Sequence, residues 1–353
     1  MNTDAPTVLL LHPSRTAKGG IVNAMFSYAK GLMAEGVGVF IWSGSEDVKQ
    51  QAEALGIDCF THKSLSNSIK PLFSASVLKE ARRVKKYGKL HIVHQGGRAW
   101  FYSKILLPKA QHAVVFHNRK LGSRKKFKNW LAISSSHLSE LNKMDMGRQR
   151  NVNLIRNGIL EAHHLIKLNM HEKILQNKTI TIGTLAEFRP EKRLCDLINA
   201  TNILKDRGVN IRLYIGGAGG NGAEKALVER LGLEKEVVFL GWVTDKSSFL
   251  EKLDIFLLTS SEEPFGLVVI EAMHAGLPVI STACHGPKDI IEHGKSGWLI
   301  EIGSPDAMAT QIETCVRDRE ATKKTALDGR ESVTHRYSDS AVGKALVKSL
   351  ALQ

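Results

Sequence analysis

At 353 residues the chain is longer than one hydrophobic core ordinarily serves, so two domains are expected. Its 43% hydrophobic and 24% charged content is that of a globular protein in water. No run approaches the roughly eighteen apolar residues of a membrane span, and four scattered cysteines without a CxxC pair argue against a disulfide framework or a zinc site and fit a reducing compartment.

The net charge of +14 is placed unevenly: residues 1 to 160 hold 25 Lys+Arg against 9 Asp+Glu, a net of +16, and the rest a net of −2. The excess gathers in KEARRVKKYGK (79–89) and in the segment 119–128. Such asymmetry implies that one half meets something anionic, such as a membrane surface, a phosphorylated glycan or nucleic acid; each cluster read singly is equally a solvated helix face.

In chain order, VLLLH (8–12) reads as a strand, and the absence of a basic lead before it argues against a signal peptide. GIVNAMFSYAKGLMAEG (20–36) reads as an amphipathic helix closed by Gly36, and 37–44 as a second strand. Further short, β-branched runs follow at 89–95, 112–118, 130–134 and 152–158. Strands of this kind with helical patterns between them imply βαβ units and a parallel sheet buried on both faces. The alternation lapses from 159 to 177 and then resumes. Strands are expected at 179–185, 211–217, 237–243, 254–260, 277–282 and 297–301, and helices at 193–208, 223–232 and 266–275, with a helical tail from about 305. The chain is therefore α/β, with two Rossmann-like parallel-sheet domains. The expected divisions are 1–160, a linker at 161–178, a second domain at 179–335, and a last helix at 336–353 that packs back on the first domain.

Open α/β sheets bind ligands at the carboxyl ends of their strands. Gly19 and Gly20 follow the first strand and open a helix, where the backbone can approach a phosphate closely. GGAGGNG (216–222) contains G-x-G-x-x-G starting at Gly217, but in the second βα unit of its domain rather than the first, which weakens a dinucleotide reading. The most informative stretch is SSEEPFGLVVIEAMHAG (260–276). A helix beginning at Gly266 aims the amides of Gly266, Leu267 and Val268 at the strand ends, an anion-binding geometry. Glu263 precedes that helix and Glu271 lies inside its apolar run. A carboxylate there needs a partner: either a cation of the protein or the hydroxyls of a ligand. FRPEKR (188–193) follows the first strand of the same domain and offers Arg189, Lys192 and Arg193. Amides and Lys for phosphates with acids for hydroxyls suit a nucleotide sugar. Acids plugged by the protein's own cations would collapse that reading.

Glu263-PFGLVVI-Glu271 followed by AMHAGLPVI resembles the Glu-x7-Glu segment of retaining glycosyltransferases of family 4, which have the GT-B fold of two Rossmann-like domains facing across a cleft. GGIVNAMFSYAKGLMAEGVGV, LAISSSHLSEL with NLIRNGI, IGTLAEFRPEKRLCDLI, LYIGGAGG, VVFLGWV and GKSGWLI fall in that family's order, so the resemblance covers nearly the whole chain. It implies a retaining transferase moving a hexose-type sugar from a nucleotide-sugar donor to a hydroxyl of a glycan or lipid-linked acceptor, as in lipopolysaccharide assembly. By position, Glu263 would meet the donor sugar and Glu271 the ribose, with Phe265 among the donor-binding residues. Lys192, Arg189, the amides of Gly266, Leu267 and Val268, and the loops at Gly19–Gly20 and Gly217 would hold the diphosphate. His117 stands where the family has a His near the donor sugar. Glu263, His117 and Lys192 are the expected catalytic residues, with no metal and no cofactor besides the co-substrate. The family's Gly-Arg ahead of Pro-Glu-Lys is replaced by Ala186 and Glu187, a loss on the order of 1.5–3 kcal/mol if a charged hydrogen bond goes unreplaced. The resemblance and the basic half together imply a cytoplasmic protein, peripheral on the inner face of the membrane, with an anionic acceptor. The rival readings are an epimerase of the same fold, a weakened binding protein and, more distantly, an NAD(P)-dependent oxidoreductase. A nucleic-acid partner is disfavoured because no base-stacking aromatics accompany the basic clusters.

Overall fold

The computed structural model describes residues 7–12, 19–62, 74–85, 90–94, 99–117, 126–145, 149–159, 179–220 and 222–352. The expected linker at 161–178 and most of the basic segment 119–128 lie outside these. The chain divides into two compact units, residues 1–160 with 337–353, and residues 161–336.

The first unit is built on β1 (Thr7–His12), α1 (Gly20–Ala34), β2 (Gly38–Ser43), α2 (Glu46–Ala54), β3 (Asp58–Thr61), α3 (Ala75–Val84), β4 (Leu90–His94), α4 (Ala99–Leu106), β5 (Gln111–Phe116), β6 (Asn129–Ala132), α5 (Ser135–Asp145) and β7 (Asn151–Leu154). Its seven strands pair in the order β3-β2-β1-β4-β5-β6-β7, all parallel. β1 and β2 are apolar runs covered on both faces, and Leu9, Leu11, Phe40, Trp42 and Ile92 share one core with the apolar face of α3.

The second unit holds β8 (Ile180–Leu185), α6 (Leu194–Asp206), β9 (Ile211–Gly216), α7 (Gly222–Leu231), β10 (Val237–Gly241), α8 (Lys246–Glu251), β11 (Ile255–Leu258), α9 (Leu267–His274), β12 (Val279–Thr282), α10 (His285–Ile290), β13 (Trp298–Ile300), α11 (Pro305–Arg317) and most of α12 (Arg319–Tyr337). Its six strands pair in the order β10-β9-β8-β11-β12-β13, again parallel. Ile182, Leu197, Leu213, Leu257 and Ile312 are fully buried in its core.

The last helix, α13 (Asp339–Leu350), belongs to the first unit and packs along α1. Two glycines permit this. A Cβ on Gly343 would stand 2.0 Å from the Gly31 carbonyl oxygen, and one on Gly31 would stand 2.8 Å from the Gly343 nitrogen. Ser340 Oγ donates to Glu35 at 3.1 Å and Ile159 N to the Tyr337 carbonyl at 3.0 Å, tying residues 337–350 to both ends of the unit's first segment.

Elements not expected from the sequence are short. β3 is a four-residue edge strand of only half-buried residues, and α8 and α10 have six residues each. β10 ends at Gly241, two residues before the expected end, because that glycine turns at φ +66° and gives its carbonyl to the neighbouring loop.

Candidate active site

The strand order of the second sheet places its reversal between β8 and β11: from β8 the chain moves outward to β9 and β10, and from β11 the other way to β12 and β13. Ligands of open α/β sheets sit where the order reverses, outside the carboxyl ends of the strands. The loops at those ends carry nearly all the expected residues of this unit.

The loop after β8 makes a single 3-10 turn, Pro190–Lys192, and then passes through Arg193 in the left-handed region (φ 49°, ψ 41°) to start α6. A non-glycine residue held there costs on the order of 1 kcal/mol and persists only where surrounding contacts enforce it. Those contacts come from the loop after β11. Ser261 N donates to the Glu191 carbonyl at 2.8 Å, and Thr259 Oγ1 donates to the Lys192 carbonyl at 2.9 Å. The β11 loop is held in turn by Gly286, whose amide donates to the Glu263 carbonyl at 2.8 Å and whose missing side chain leaves room for the Phe265 carbonyl, 2.1 Å from where a Cβ would be. Three strand-end loops thus lock one another.

This arrangement brings Lys192 Nζ within 2.6 Å of Glu263 Oε2, with side chains 19% and 15% exposed. Gly266, in the left-handed region at φ 105°, starts α9 and brings no side chain to cap it. The first amides, of Leu267 and Val268, have no carbonyl one turn back to bond. Anion-seeking N–H groups therefore lie directly after the Lys192–Glu263 pair in the chain. Phe265 is buried, so it shapes the loop from beneath. Glu271, on the second turn of α9, is nearly sealed, with a side chain 3% exposed.

Glu271 meets a cation of the protein. Lys246, the first residue of α8, donates to its Oε1 at 2.6 Å. Sequence reasoning left the partner of Glu271 open and missed Lys246, because 25 residues and two strands separate them and no spacing rule links them. Both acids are paired with lysines, the arrangement that sequence reasoning took to overturn a nucleotide-sugar site, and that criterion is too strict. Pairing does not decide the matter. A carboxylate this buried requires a counter-charge whether or not it also binds a ligand, and Glu263 and Lys192 keep donor and acceptor capacity beyond their single contact.

Two expectations are corrected. Gly217 does not offer its amide to a phosphate: that N–H donates to the Gly241 carbonyl at 2.7 Å. A Cβ on Gly217 would fall 1.7 Å from the Ala186 carbonyl oxygen, and one on Gly219 would be 3.3 Å from Phe188. The first two glycines of the G-x-G-x-x-G string thus serve contact between the β8 and β9 loops, while Gly222 has open space at its Cβ, and the dinucleotide reading loses its basis. Nor does Arg189 stand in for the arginine absent at Glu187. It pairs with Glu187 itself at 2.6 Å, the two side chains 60% and 49% exposed. Together with Lys192, Lys246, Glu263 and Glu271, these side chains sum to zero charge, so attraction for an anion falls to the α9 amides and the remaining donors of Lys192.

Cys284, buried beside this cluster at the start of α10, has its thiol pushed up to about 11 by burial, so it stays protonated at neutral pH. Gly19, Gly20 and His117 belong to the other unit. Gly19 (φ 104°) precedes α1 without a side-chain cap, Gly20 is its first residue, and His117 is half-buried one residue past β5. Among the described residues no group of three or more His, Cys, Asp or Glu could hold a metal ion.

Residues 167–332 match the family model of glycosyl transferases group 1. The lipopolysaccharide core biosynthesis glycosyltransferase LpsE of Rhizobium meliloti is 34% identical over 136 residues, 37% of this chain and 40% of that protein. The N-acetyl-alpha-D-glucosaminyl L-malate synthase of Bacillus anthracis is 30% identical over 210 residues, 58% of this chain and 53% of that protein. The chain thus spans about half the length of these curated relatives. Among solved structures, Anabaena Alr3699/HepE in complex with UDP and glucose superposes with a TM-score of 0.78 at 19% identity, over 99% of this chain and 100% of that one. The protein therefore has the GT-B fold, two Rossmann-like parallel-sheet units, and its residues 167–332 are similar to the glycosyl transferases group 1 family.

Proposed function

We propose that the chain is a retaining glycosyltransferase that moves a hexose-type sugar from a nucleoside diphosphate sugar to a hydroxyl of a glycan or lipid-linked acceptor during cell-envelope or lipopolysaccharide assembly. One observation carries the reading: Lys192 and Glu263, 2.6 Å apart, stand at the reversal point of the second sheet immediately before the uncapped start of α9. The names of relatives such as LpsE, and the UDP and glucose bound to Alr3699/HepE, support it.

In this reading Lys192 and the amides of Leu267 and Val268 take the charge that gathers on the departing diphosphate, the point where electrostatic help lowers the barrier most. Glu263 accepts from sugar hydroxyls and Glu271 from the ribose. The acceptor attacks from the face the diphosphate leaves, and the diphosphate takes its proton, so no separate base and no metal is required. Turnover in excess chelator equal to turnover without it is the expected result. The acceptor and membrane contacts fall to the basic first half, with the protein on the cytoplasmic face of the membrane.

Calorimetric titration of the full chain with UDP, GDP and ADP tests the donor site. Binding by one of them, with a rise in melting temperature equivalent to about 2.7 kcal/mol at a hundredfold excess over Kd, is expected. If none binds at millimolar concentration, the reading is wrong.

A further inference from the structure

Lys246 belongs to no motif, and its place in the chain is locally unfavourable. It is the first residue of α8, where the helix dipole opposes a cation. Asp245 nevertheless fixes that start: Ser248 N donates to its Oδ1 at 3.0 Å and Ser248 Oγ to its Oδ2 at 2.6 Å. The root of the lysine is thereby pinned, and its ammonium meets Glu271 at 2.6 Å, where the acid retains only 3% of its side-chain exposure. A long, rotamer-rich side chain is thus held against its own helix's field to reach one buried carboxylate. Glu271 lies on the helix whose first amides form the anion site.

We infer that Lys246 is a positioning residue for nucleotide recognition: it holds the Glu271 carboxylate as a paired anion in one orientation, so that Glu271 accepts from a ribose diol and the site prefers ribonucleotides to deoxyribonucleotides. The inference rests on the donor-site reading above and adds the origin of its sugar selectivity. The ammonium donates to Oε1 at 2.6 Å, and a ribose diol would add donors to the same carboxylate, which accepts several hydrogen bonds at once. A pair that served stability alone would leave ligand choice untouched when removed.

The test compares the nucleoside diphosphate that binds best among UDP, GDP and ADP with its 2′-deoxy and 3′-deoxy forms. Calorimetry is run on the full-length wild type, Glu271→Gln, Lys246→Met and Lys246→Arg, with melting temperatures recorded for each. Wild type is expected to prefer the ribonucleotide by about tenfold or more, and Lys246→Met to reduce the preference to within about twofold, as Glu271→Gln does. Lys246→Arg, which keeps the charge, is expected to restore most of it. Should Lys246→Met prove too unstable to titrate, Lys246→Gln reads the same ratio. A wild-type preference in the charge-removed variant, with Glu271→Gln having lost it, overturns the inference and leaves the donor site standing. If no nucleotide binds wild type, or Glu271→Gln keeps the preference, it is the donor-site reading that fails.

Discussion

Lys192 and Glu263 illustrate how one contact can be read twice. Their 2.6 Å pair forms without a ligand, yet most of each group's hydrogen-bonding capacity lies beyond that one bond. The two readings separate on mutation. Lys192→Ala removes a cation from the proposed anion site and is expected to weaken nucleoside diphosphate binding about 10- to 100-fold. Glu263→Ala leaves Lys192 without its counter-charge, so the same titration is expected to show binding at least as tight as wild type. Turnover should meanwhile fall about 100-fold if the acid meets the sugar. Equal weakening by both variants would mean that the pair acts only as a brace. In the other unit, burial first and Lys104 second lower His112 to about 4. The unfolded chain takes up that proton near pH 6.5 and the folded chain only near 4. Stability from this group is therefore whole above pH 6.5 and is lost as pH falls toward 4, by up to about 3 kcal/mol. Urea titrations between pH 7 and 4.5 should show a shallower loss in His112→Gln than in wild type.

Among the elements, those whose apolar period runs long were legible: α1, α6 and the buried runs β1, β2, β8 and β11 lie within a residue or two of where the sequence puts them. α9 was legible for a different reason, since glycines bound it at both ends, Gly266 at φ 105° and Gly276 at φ 84°. β3 was not, because its residues are only half-buried and form no apolar run such as marks the other short strands, nor were α8 and α10, because six residues give a helical period no room to repeat. The helix pair α1–α13 rests on a contact no pattern announces. Any Cβ on Gly343 meets the Gly31 carbonyl at 2.0 Å, and backbone on both sides cannot yield as a side-chain tip can. Gly343→Ala is expected to cost about 2–4 kcal/mol, or to release α13 and expose it to protease. Gly220→Ala, with open space at its Cβ, should change the melting temperature far less. Comparable losses in the two would remove close packing as the cause.

At the scale of the molecule, the charge division stands out: a net of +16 in the first 160 residues and −2 in the remainder. No helix among the described residues is long and apolar enough to cross a membrane. If the basic half docks on an anionic bilayer at roughly 1 kcal/mol per Lys or Arg, co-sedimentation with vesicles containing phosphatidylglycerol should be strong at low salt. It should be lost near 0.5 M salt, where screening shortens to about 4 Å, and in a variant with the basic residues of 119–128 neutralised. Binding insensitive to both changes would exclude this electrostatic docking.

The sequence by itself determined the two parallel sheets, the place of the Glu263–Glu271 segment at a strand end and the helix start that follows it, because buried runs, glycine stops and strand-then-helix order are local properties of the chain. It also isolated the departure at Glu187. The tertiary structure alone decided what the charges do. Lys246 answers Glu271 across two strands, Arg189 turns to Glu187 on the surface, and Gly217 yields its space to Ala186. Partner choice among side chains depends on which loops the sheet order brings side by side, and strand order is set by packing between distant segments, which no window of sequence contains.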